Sequence, residues 1–372
     1  MASDRVKEAV NRFNNKHLHR NRADLNWEEK GEETKVKFSN MGKNDTSTSL
    51  EHRNQGGQLW DSMKKVAFVL GTGLLMFASF RNTVTWHLQH FWGASGDFWQ
   101  AQWVKLHNYY GGNELAIYCL GSMLIPGLSF WIPNALLIKI DLTRKPNFIT
   151  RYKIQPEKNN PVDPGKMKHT VKNAFFTQVF ISIPMVLLMY PFMQWRGNPC
   201  GIELPTFQWV LLELTIFSLS EEVLFYYSHR MFHHPSIYKH FHKIHHEWTA
   251  PVGVVSHNIH PLEHIISIML PVMIGPMLMG SHLVTITLWF SLALIFATIT
   301  HCGFYLPFLP YSEYHDFHHL KSNQCYGVLG IVDWLHGTDL VFKQTKAYNR
   351  QILLQGFSPL TENLPEPTKK LD

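Results

Sequence analysis

Apolar residues occur in long runs separated by polar segments, and this pattern predicts helices that cross a membrane. The first four runs cover residues 66–86, 115–138, 174–195 and 207–227. Each run is long enough to cross roughly 30 Å of hydrocarbon as a helix. The fourth run leads directly into a segment that is rich in histidine.

The last apolar region, residues 265–300, would be about 54 Å long as a single helix at 1.5 Å per residue. That length is too great for one crossing of the membrane. Residues that permit a break stand within the region: Pro271, Gly275, Pro276, Gly280 and Ser281. A helical hairpin, or a re-entrant pair of helices, is therefore predicted over 265–300.

The distribution of basic residues predicts the orientation of these helices. Residues 141–172 carry eight lysine and arginine side chains, and such loops lie on the cytosolic side of the membrane. We therefore expect residues 93–113 to be lumenal and both ends of the chain to be cytosolic. Lys369-Lys370 close to the C-terminus resembles a dilysine retrieval signal of the endoplasmic reticulum. No apolar segment stands near Met1, so a cleaved signal peptide is not expected.

The predicted fold is an all-α, polytopic membrane bundle with a histidine-rich cap for two metals that faces the cytosol. Residues 1–59 are polar and are expected to be largely disordered, with a short helix near Val6–Phe13. Residues 60–227 hold the membrane helices and the basic loop. Residues 228–345 hold the histidines and the hairpin, and residues 346–372 form a cytosolic tail.

Composition indicates which kind of partner the chain binds and which cysteine-based sites it lacks. The 372 residues carry a formal net charge of +6, yet only 17% are charged and 13% are aromatic. Because the basic excess lies in loops beside apolar segments, it favours a membrane surface over a nucleic acid as partner. Four scattered cysteines without a C-x-x-C pair provide neither a zinc framework nor a disulfide scaffold.

Eight histidines in three groups form the candidate metal site. Their spacings are i, i+4 in the first group and i, i+3, i+4 in the other two, which place side chains on one helix face. The groups are His229 and His233, then His242, His245 and His246, then His315, His318 and His319. Eight imidazoles exceed the needs of one tetrahedral ion, so we predict two metals. His234 and His240 fall off these faces and are interpreted as neighbours.

The ligand type alone leaves zinc, iron and copper open. Two irons can activate dioxygen, and an apolar substrate without a reactive group favours that chemistry. The sequence contains neither H-E-x-x-H nor G-x-S-x-G, so it does not favour a protease or a hydrolase.

The motifs H-x-x-x-H, H-x-x-H-H and H-x-x-H-H resemble the three histidine boxes of the membrane fatty acid hydroxylase superfamily. The surrounding sequence, with EEVLFYYSHRMFHH, HPLEH and YHDFHHLKSNQCYGVLGIVDWLHGTD, is similar to the sterol 4-methyl oxidase (methylsterol monooxygenase) branch. The resemblance implies a non-haem di-iron centre at the eight histidines. It also implies His260 and His301 as further ligands, whereas His257, His264 and His336 are weaker candidates. Tyr305 stands where some relatives have another histidine.

Three carboxylates are candidates for holding the ligands in place. Glu222 precedes His229 by seven residues on the same predicted face, so it is expected to accept an imidazole N–H. Glu263 and Asp316 are similar cases.

The implied activity is an O2-dependent monooxygenase in the endoplasmic reticulum that hydroxylates the C4-methyl group of a sterol precursor. Electrons are expected from NAD(P)H through a separate cytochrome b5 and its reductase, because the chain lacks the His-Pro-Gly-Gly haem motif. Three alternatives stay open: a fatty acid or sphingolipid hydroxylase, a non-catalytic membrane protein that keeps the metal site for regulation, and a divalent-metal transporter.

Overall fold

The computed structural model describes residues 48–352, apart from residues 198, 308, 310 and 311. The short helix predicted near Val6–Phe13 and the dilysine sequence at Lys369-Lys370 lie outside the described residues. The chain divides into two compact units, with the boundary between Thr83 and Val84. All features of the candidate site described below belong to the second unit.

Nearly all regular structure in the described part of the chain is helical. The longer helices are α1 (Thr48–Tyr109), α2 (Glu114–Thr143), α3 (Pro164–Arg196), α4 (Phe207–Phe232), α5 (Pro261–Met279), α6 (Leu283–His301), α7 (Ser312–Lys321), α8 (Ile331–His336) and α9 (Lys346–Ile352). Short α-helical turns cover Asn147–Thr150 and Pro235–Tyr238, and 3-10 turns cover His242–Glu247, Gly253–His257 and Phe342–Gln344. The described residues contain no β-strand, so the predicted all-α fold class is confirmed.

Five helical stretches are long and apolar enough to cross a membrane: Val66–His87, Glu114–Thr143, Pro164–Arg196, Pro261–Met279 and Leu283–His301. Within the first stretch, Phe68 is 74% exposed. A helix with such apolar side chains on its surface is suited to contact with lipid rather than water. These stretches agree with the apolar runs predicted at 66–86, 115–138 and 174–195.

Helix α1 is longer than predicted at both ends. It begins at Thr48 within the predicted disordered tail and continues to Tyr109 through most of the predicted lumenal segment 93–113. Extending an existing helix is easier than starting one, because the costly nucleus is already formed. Gly93 and Gly96 each cost only about 1 kcal/mol relative to alanine, which is too little to end the helix.

The apolar region 265–300 is divided into α5 and α6, as its length requires. Gly280 ends α5 in the left-handed conformation, with φ 63°, and glycine adopts this conformation without steric cost. His282 then caps α6 by accepting a hydrogen bond from the Val284 N–H, at 3.2 Å. The break therefore falls at Gly280 and Ser281, the last two of the predicted positions.

Helix α4 packs against α5 and carries the first histidines. Gly275 of α5 allows this packing, since a Cβ atom there would lie 2.7 Å from Cδ1 of Phe217. Helix α4 holds the acidic residues Glu213, Glu221 and Glu222, and it is not among the five apolar stretches. A membrane crossing by residues 207–227 stays a prediction.

The basic loop before α3 is tied to the segments that carry the histidines. The Ile154 N–H donates to the Gly303 carbonyl at 3.0 Å, and the Asn159 side-chain amide donates to the Ala250 carbonyl at 2.7 Å. Lys153 forms a buried ion pair with Asp141 at 3.1 Å. The loop thus packs over the histidine-bearing end of the helices.

Candidate metal centre

Nine buried or half-buried histidines meet in two adjacent clusters. In each cluster, one ring nitrogen from every member lies within 4.8 Å of the others. Cluster 1 contains His229, His233, His242, His246 and His318. Cluster 2 contains His245, His301, His315 and His319.

The two predicted trios are each divided between the clusters. His242 and His246 join cluster 1, whereas His245 joins cluster 2. The prediction that each trio shares one helix face was wrong for this segment, because His242–Glu247 is a 3-10 turn with three residues per turn. On α7, His318 joins cluster 1, and His315 and His319 join cluster 2.

The ring nitrogens converge at short separations. In cluster 1, the Nε2 atom of His233 lies 2.8 Å from that of His242 and 3.1 Å from that of His318. In cluster 2, the Nε2 atom of His301 lies 2.9 Å from that of His315 and 3.4 Å from that of His245. Such an arrangement is stable only if a proton or a cation lies between the lone pairs.

Backbone carbonyls fix which ring nitrogen carries the proton. A carbonyl oxygen only accepts, so a ring nitrogen that contacts one is the donor, and a neutral imidazole has only one N–H. The Nδ1–H groups of His229, His318 and His319 donate to the carbonyls of Tyr326, Gln324 and Trp248, respectively, at 2.8, 2.7 and 3.0 Å. Nδ1 of His301 donates in the same way to the Ala297 carbonyl at 2.8 Å.

The Nε2 atoms of these four rings are therefore lone-pair acceptors aimed into the clusters. The Nε2 atoms of His246 and His319 are buried and have no hydrogen-bond partner among the described residues. Lone pairs that converge without a donor fit a bound cation, and imidazole suits zinc, iron and copper. The clusters are thus able to bind two metal ions.

Burial keeps the imidazoles neutral. It lowers the pKa of His229 to about 4. It also lowers the pKa of His318 and of His319 well below the usual value, and neighbouring imidazoles add to this effect. A neutral ring offers its lone pair to a metal, whereas a protonated ring does not.

His301 lies within cluster 2, as the resemblance implies. His260 is not among the clustered histidines, so its role as a ligand stays a prediction. His260 caps the start of α5, with its Nδ1 atom accepting from the Leu262 N–H at 3.2 Å, and its ring packs on Phe241. His234, His240 and His336 are exposed, and His257 and His264 are buried beside the clusters without joining either one.

Glu263 is the one predicted carboxylate that contacts a clustered histidine. The Nδ1–H of His242 donates to Oε1 of Glu263. A carboxylate in this position fixes the orientation of the ring and raises its basicity toward a metal.

Glu222 accepts hydrogen bonds from backbone N–H groups and not from an imidazole N–H. The expectation that it contacts a histidine ring was therefore wrong. Its carboxylate accepts three backbone N–H groups, from Val328, Leu329 and Val332, at 2.6–2.9 Å. These bonds hold the loop whose Tyr326 carbonyl accepts from His229. Asp316 likewise accepts from the side-chain amide of Gln155 at 2.8 Å. Burial raises the pKa of Asp316 to about 7.

The sequence did not indicate Asp333, which supports the same loop. Its carboxylate accepts the N–H groups of Tyr326 and Gly327 at 2.9 and 2.6 Å. The carbonyl acceptors of Tyr326, Gln324 and Trp248 were missed as well. Main-chain acceptors leave no signal in residue type, so no pattern in the sequence pointed to them.

An apolar cavity of about 490 Å³ leads from the helices to both clusters. This volume is within the range of roughly 300–1,000 Å³ found for ligand sites. The cavity is lined by Met123 and Pro126 of α2, Ile183 and Val186 of α3, Leu214 and Phe225 of α4, Met269 and Val272 of α5, and Trp289, Phe290 and Leu294 of α6. Histidines from both clusters complete its wall: His229, His242, His245, His301 and His315.

The site and fold together define a multi-pass helical membrane protein whose buried histidines form two clusters able to bind metal. The sequence pattern of the fatty acid hydroxylase family matches residues 214–338, a range that includes all nine clustered histidines. The chain belongs to this family, and the resemblance expected from the histidine boxes is confirmed.

Three relatives of this chain differ in their identity to it and in the activity that their names state. The chain is 59% identical to fatty acid hydroxylase domain-containing protein 2 of Homo sapiens, over 87% of this chain and 97% of that protein. It is 29% identical to methylsterol monooxygenase 2-2 of Arabidopsis thaliana, over 67% of this chain and 95% of that protein. It is 33% identical to fatty acid hydroxylase ahd1 of Mycosarcoma maydis, over 55% of this chain and 53% of that protein. No solved structure matches the chain at a significant level.

Proposed function

We propose that this chain is an O2-dependent monooxygenase that hydroxylates the C4-methyl group of a sterol precursor. The observation that carries the proposal is the apolar cavity, whose wall includes histidines of both clusters. A lipid in this cavity would present a carbon to the clusters while its remainder stays in apolar surroundings. Binding sites for such ligands are mainly apolar, with few polar groups.

The protein's own residues would prepare the site for this reaction. Cluster 1 and cluster 2 would each hold one iron, and the hydrogen bonds from Nδ1 to backbone carbonyls fix the ring orientations. Glu263 orients His242, and the apolar walls exclude water from the reacting carbon. The iron pair would supply the activation of O2; with two electrons from the donor protein and two protons, R–H and O2 become R–OH and one water.

A 4-methylsterol is suited to this geometry. Its single hydroxyl lies next to the methyl group that is oxidised, so the polar end of the molecule and the reacting carbon face the clusters together. The rings and side chain are apolar and would occupy the cavity between α2, α3, α5 and α6. The name of the Arabidopsis thaliana relative, a methylsterol monooxygenase, supports this substrate class.

The electron donor would be a separate protein, cytochrome b5 with its NAD(P)H-dependent reductase. The chain would lie in the endoplasmic reticulum membrane with the clusters on the cytosolic side, where such a donor is available. The basic loop 141–172, which packs over the histidine-bearing end, supports this orientation.

A fatty acyl chain is the second candidate substrate. The cavity is mainly apolar, and the Mycosarcoma maydis relative is named as a fatty acid hydroxylase.

Lipid analysis distinguishes the sterol substrate from the acyl substrate. Cells without the protein should accumulate 4-methylated sterols, and the wild-type chain but not His245→Ala should reverse the accumulation. Unchanged sterols with a fall in hydroxylated fatty acids would favour the acyl substrate instead.

A further inference from the structure

A carboxylic acid side chain, Glu221, lines the mainly apolar cavity. Glu221 is half-buried, whereas its neighbour Glu222 is fully buried and bound to the loop at 328–332. No hydrogen bond or ion pair involves the Glu221 carboxyl among the residues that the structure describes. A carboxyl group in apolar surroundings is unfavourable unless a partner satisfies it.

Several other polar side chains of the cavity are already satisfied within the protein. The Ser122 and Ser218 hydroxyls donate to the carbonyls of Tyr118 and Leu214, at 2.6 and 2.8 Å. Ser182 pairs with His264 at 2.8 Å. These groups are occupied by the protein itself. The Ser267 hydroxyl and Oε2 of Glu263 also have no partner among the described residues, but both atoms are buried, whereas Glu221 is half-buried and open to a ligand.

Glu221 stands on the same face of α4 as a clustered histidine. Phe225 and His229 follow it at four and eight residues, and all three line the cavity. Eight residues correspond to about 12 Å along the helix axis. A hydrogen bond of about 2.8 Å from the carboxyl to a substrate oxygen takes up part of this interval. A substrate oxygen bonded to the carboxyl would therefore lie in the cavity between Glu221 and the histidines.

We propose that Glu221 binds the hydroxyl group of the substrate and thereby orients the substrate in the cavity that leads to the metal clusters. This inference rests on the proposed sterol hydroxylase function and adds the residue that selects the substrate. A hydroxyl group both donates and accepts, so it pairs with a carboxyl in either protonation state. Lipids that lack a hydroxyl near the oxidised carbon would leave Glu221 without a partner and would bind more weakly.

The test is equilibrium binding to the full-length, iron-loaded protein in lipid nanodiscs. The probes are a radiolabelled 4-methylsterol and its 3-deoxy analogue. The variants are Glu221→Leu, which removes the polar group, and Glu221→Gln, which keeps a donor and an acceptor. Glu203→Leu serves as the matched control, because Glu203 is exposed and does not line the cavity.

We expect the wild type and Glu203→Leu to bind the hydroxysterol about tenfold more tightly than the deoxy analogue, the effect of one net hydrogen bond. Glu221→Leu should bind both probes equally while it retains its iron, and Glu221→Gln should recover part of the preference.

A preference that survives in Glu221→Leu would overturn the role of Glu221 and leave the sterol function intact. Equal binding of both probes by the wild type would also overturn the role of Glu221 and leave the sterol function intact. If the wild type binds neither probe, the sterol function fails together with this inference.

Discussion

At the scale of single residues, the site depends on which nitrogen of each imidazole carries the proton. Spacing in the sequence identified eight of the nine clustered histidines, and resemblance added His301. Spacing could not identify the carbonyls that fix the tautomers, because main-chain acceptors leave no signal in residue type. Those of Tyr326 and Trp248 also lie far along the chain from the rings they hold. Spacing also did not indicate that His260, directly before Pro261, caps the start of a helix.

Alanine at one clustered position should remove metal without unfolding the chain. His245→Ala removes a member of cluster 2, and His318→Ala removes a member of cluster 1. Each variant should fall from two irons per chain to one or fewer and lose activity, while still inserting into the membrane. The exposed His234 provides the control, since His234→Ala should keep its iron. Unchanged iron in both ligand variants, measured by elemental analysis, would overturn the assignment.

His301 and His260 should behave oppositely. His301→Ala should lose iron from cluster 2, because its Nε2 atom lies 2.9 Å from that of His315. His260→Ala should keep both irons, with a cost of about 1 kcal/mol from the lost helix cap. Iron analysis of the two purified variants checks this pair. Iron loss in His260→Ala at the level of His301→Ala would show that His260 is a ligand.

At the scale of structural elements, short connecting segments decide how the histidines are shared. Periodicity predicts helices well where apolar runs are long, and α2, α3, α5 and α6 were largely expected. It does not predict that His242–Glu247 forms a 3-10 turn. Histidines of this turn contact Glu263 of α5 and His319 of α7, and such tertiary contacts are not part of a periodicity argument. The division of each trio between the clusters follows from this turn and from the position of α7, and neither is visible in the sequence.

The loop at 326–332 should control the affinity for metal through Glu222. In Glu222→Gln, an amide N–H₂ replaces one of the oxygens that accept backbone N–H groups, so the loop and the Tyr326 carbonyl lose their support. We expect metal affinity to fall by about tenfold or more, in the range seen when a group behind a ligand is altered. Chelator competition measures this affinity, with Glu203→Gln as the control. Equal affinity in the two variants would show that the loop does not position His229.

At the scale of the whole molecule, composition and hydropathy predict a helical membrane protein, and the five apolar stretches agree with that prediction. They do not predict the cavity, whose walls come from α2 to α6 and are assembled only by the tertiary fold. Orientation in the membrane rests on the basic loop alone.

Orientation can be tested by glycosylation of inserted acceptor tags. A long flexible tag between α1 and α2, at residues 110–113, should be glycosylated, because this side is predicted to be lumenal. The same tag beside Lys158 should not be modified, since the loop 141–172 is predicted to be cytosolic. Gel mobility before and after deglycosylation reports the result. The reverse pattern would place the clusters in the lumen and exclude a cytosolic electron donor.

If the chain is a lipid hydroxylase, its histidine clusters support the insertion of an oxygen atom from O2 into a lipid C–H bond. The most direct measurement uses the purified full-length protein with iron, a reducing system, a 4-methylsterol and isotopically labelled dioxygen. Mass spectrometry should find a hydroxylated sterol that carries one labelled oxygen atom, and His318→Ala should form none. A product whose oxygen comes from water, or no oxygenated product from iron-loaded wild-type protein, would contradict the proposed monooxygenase function.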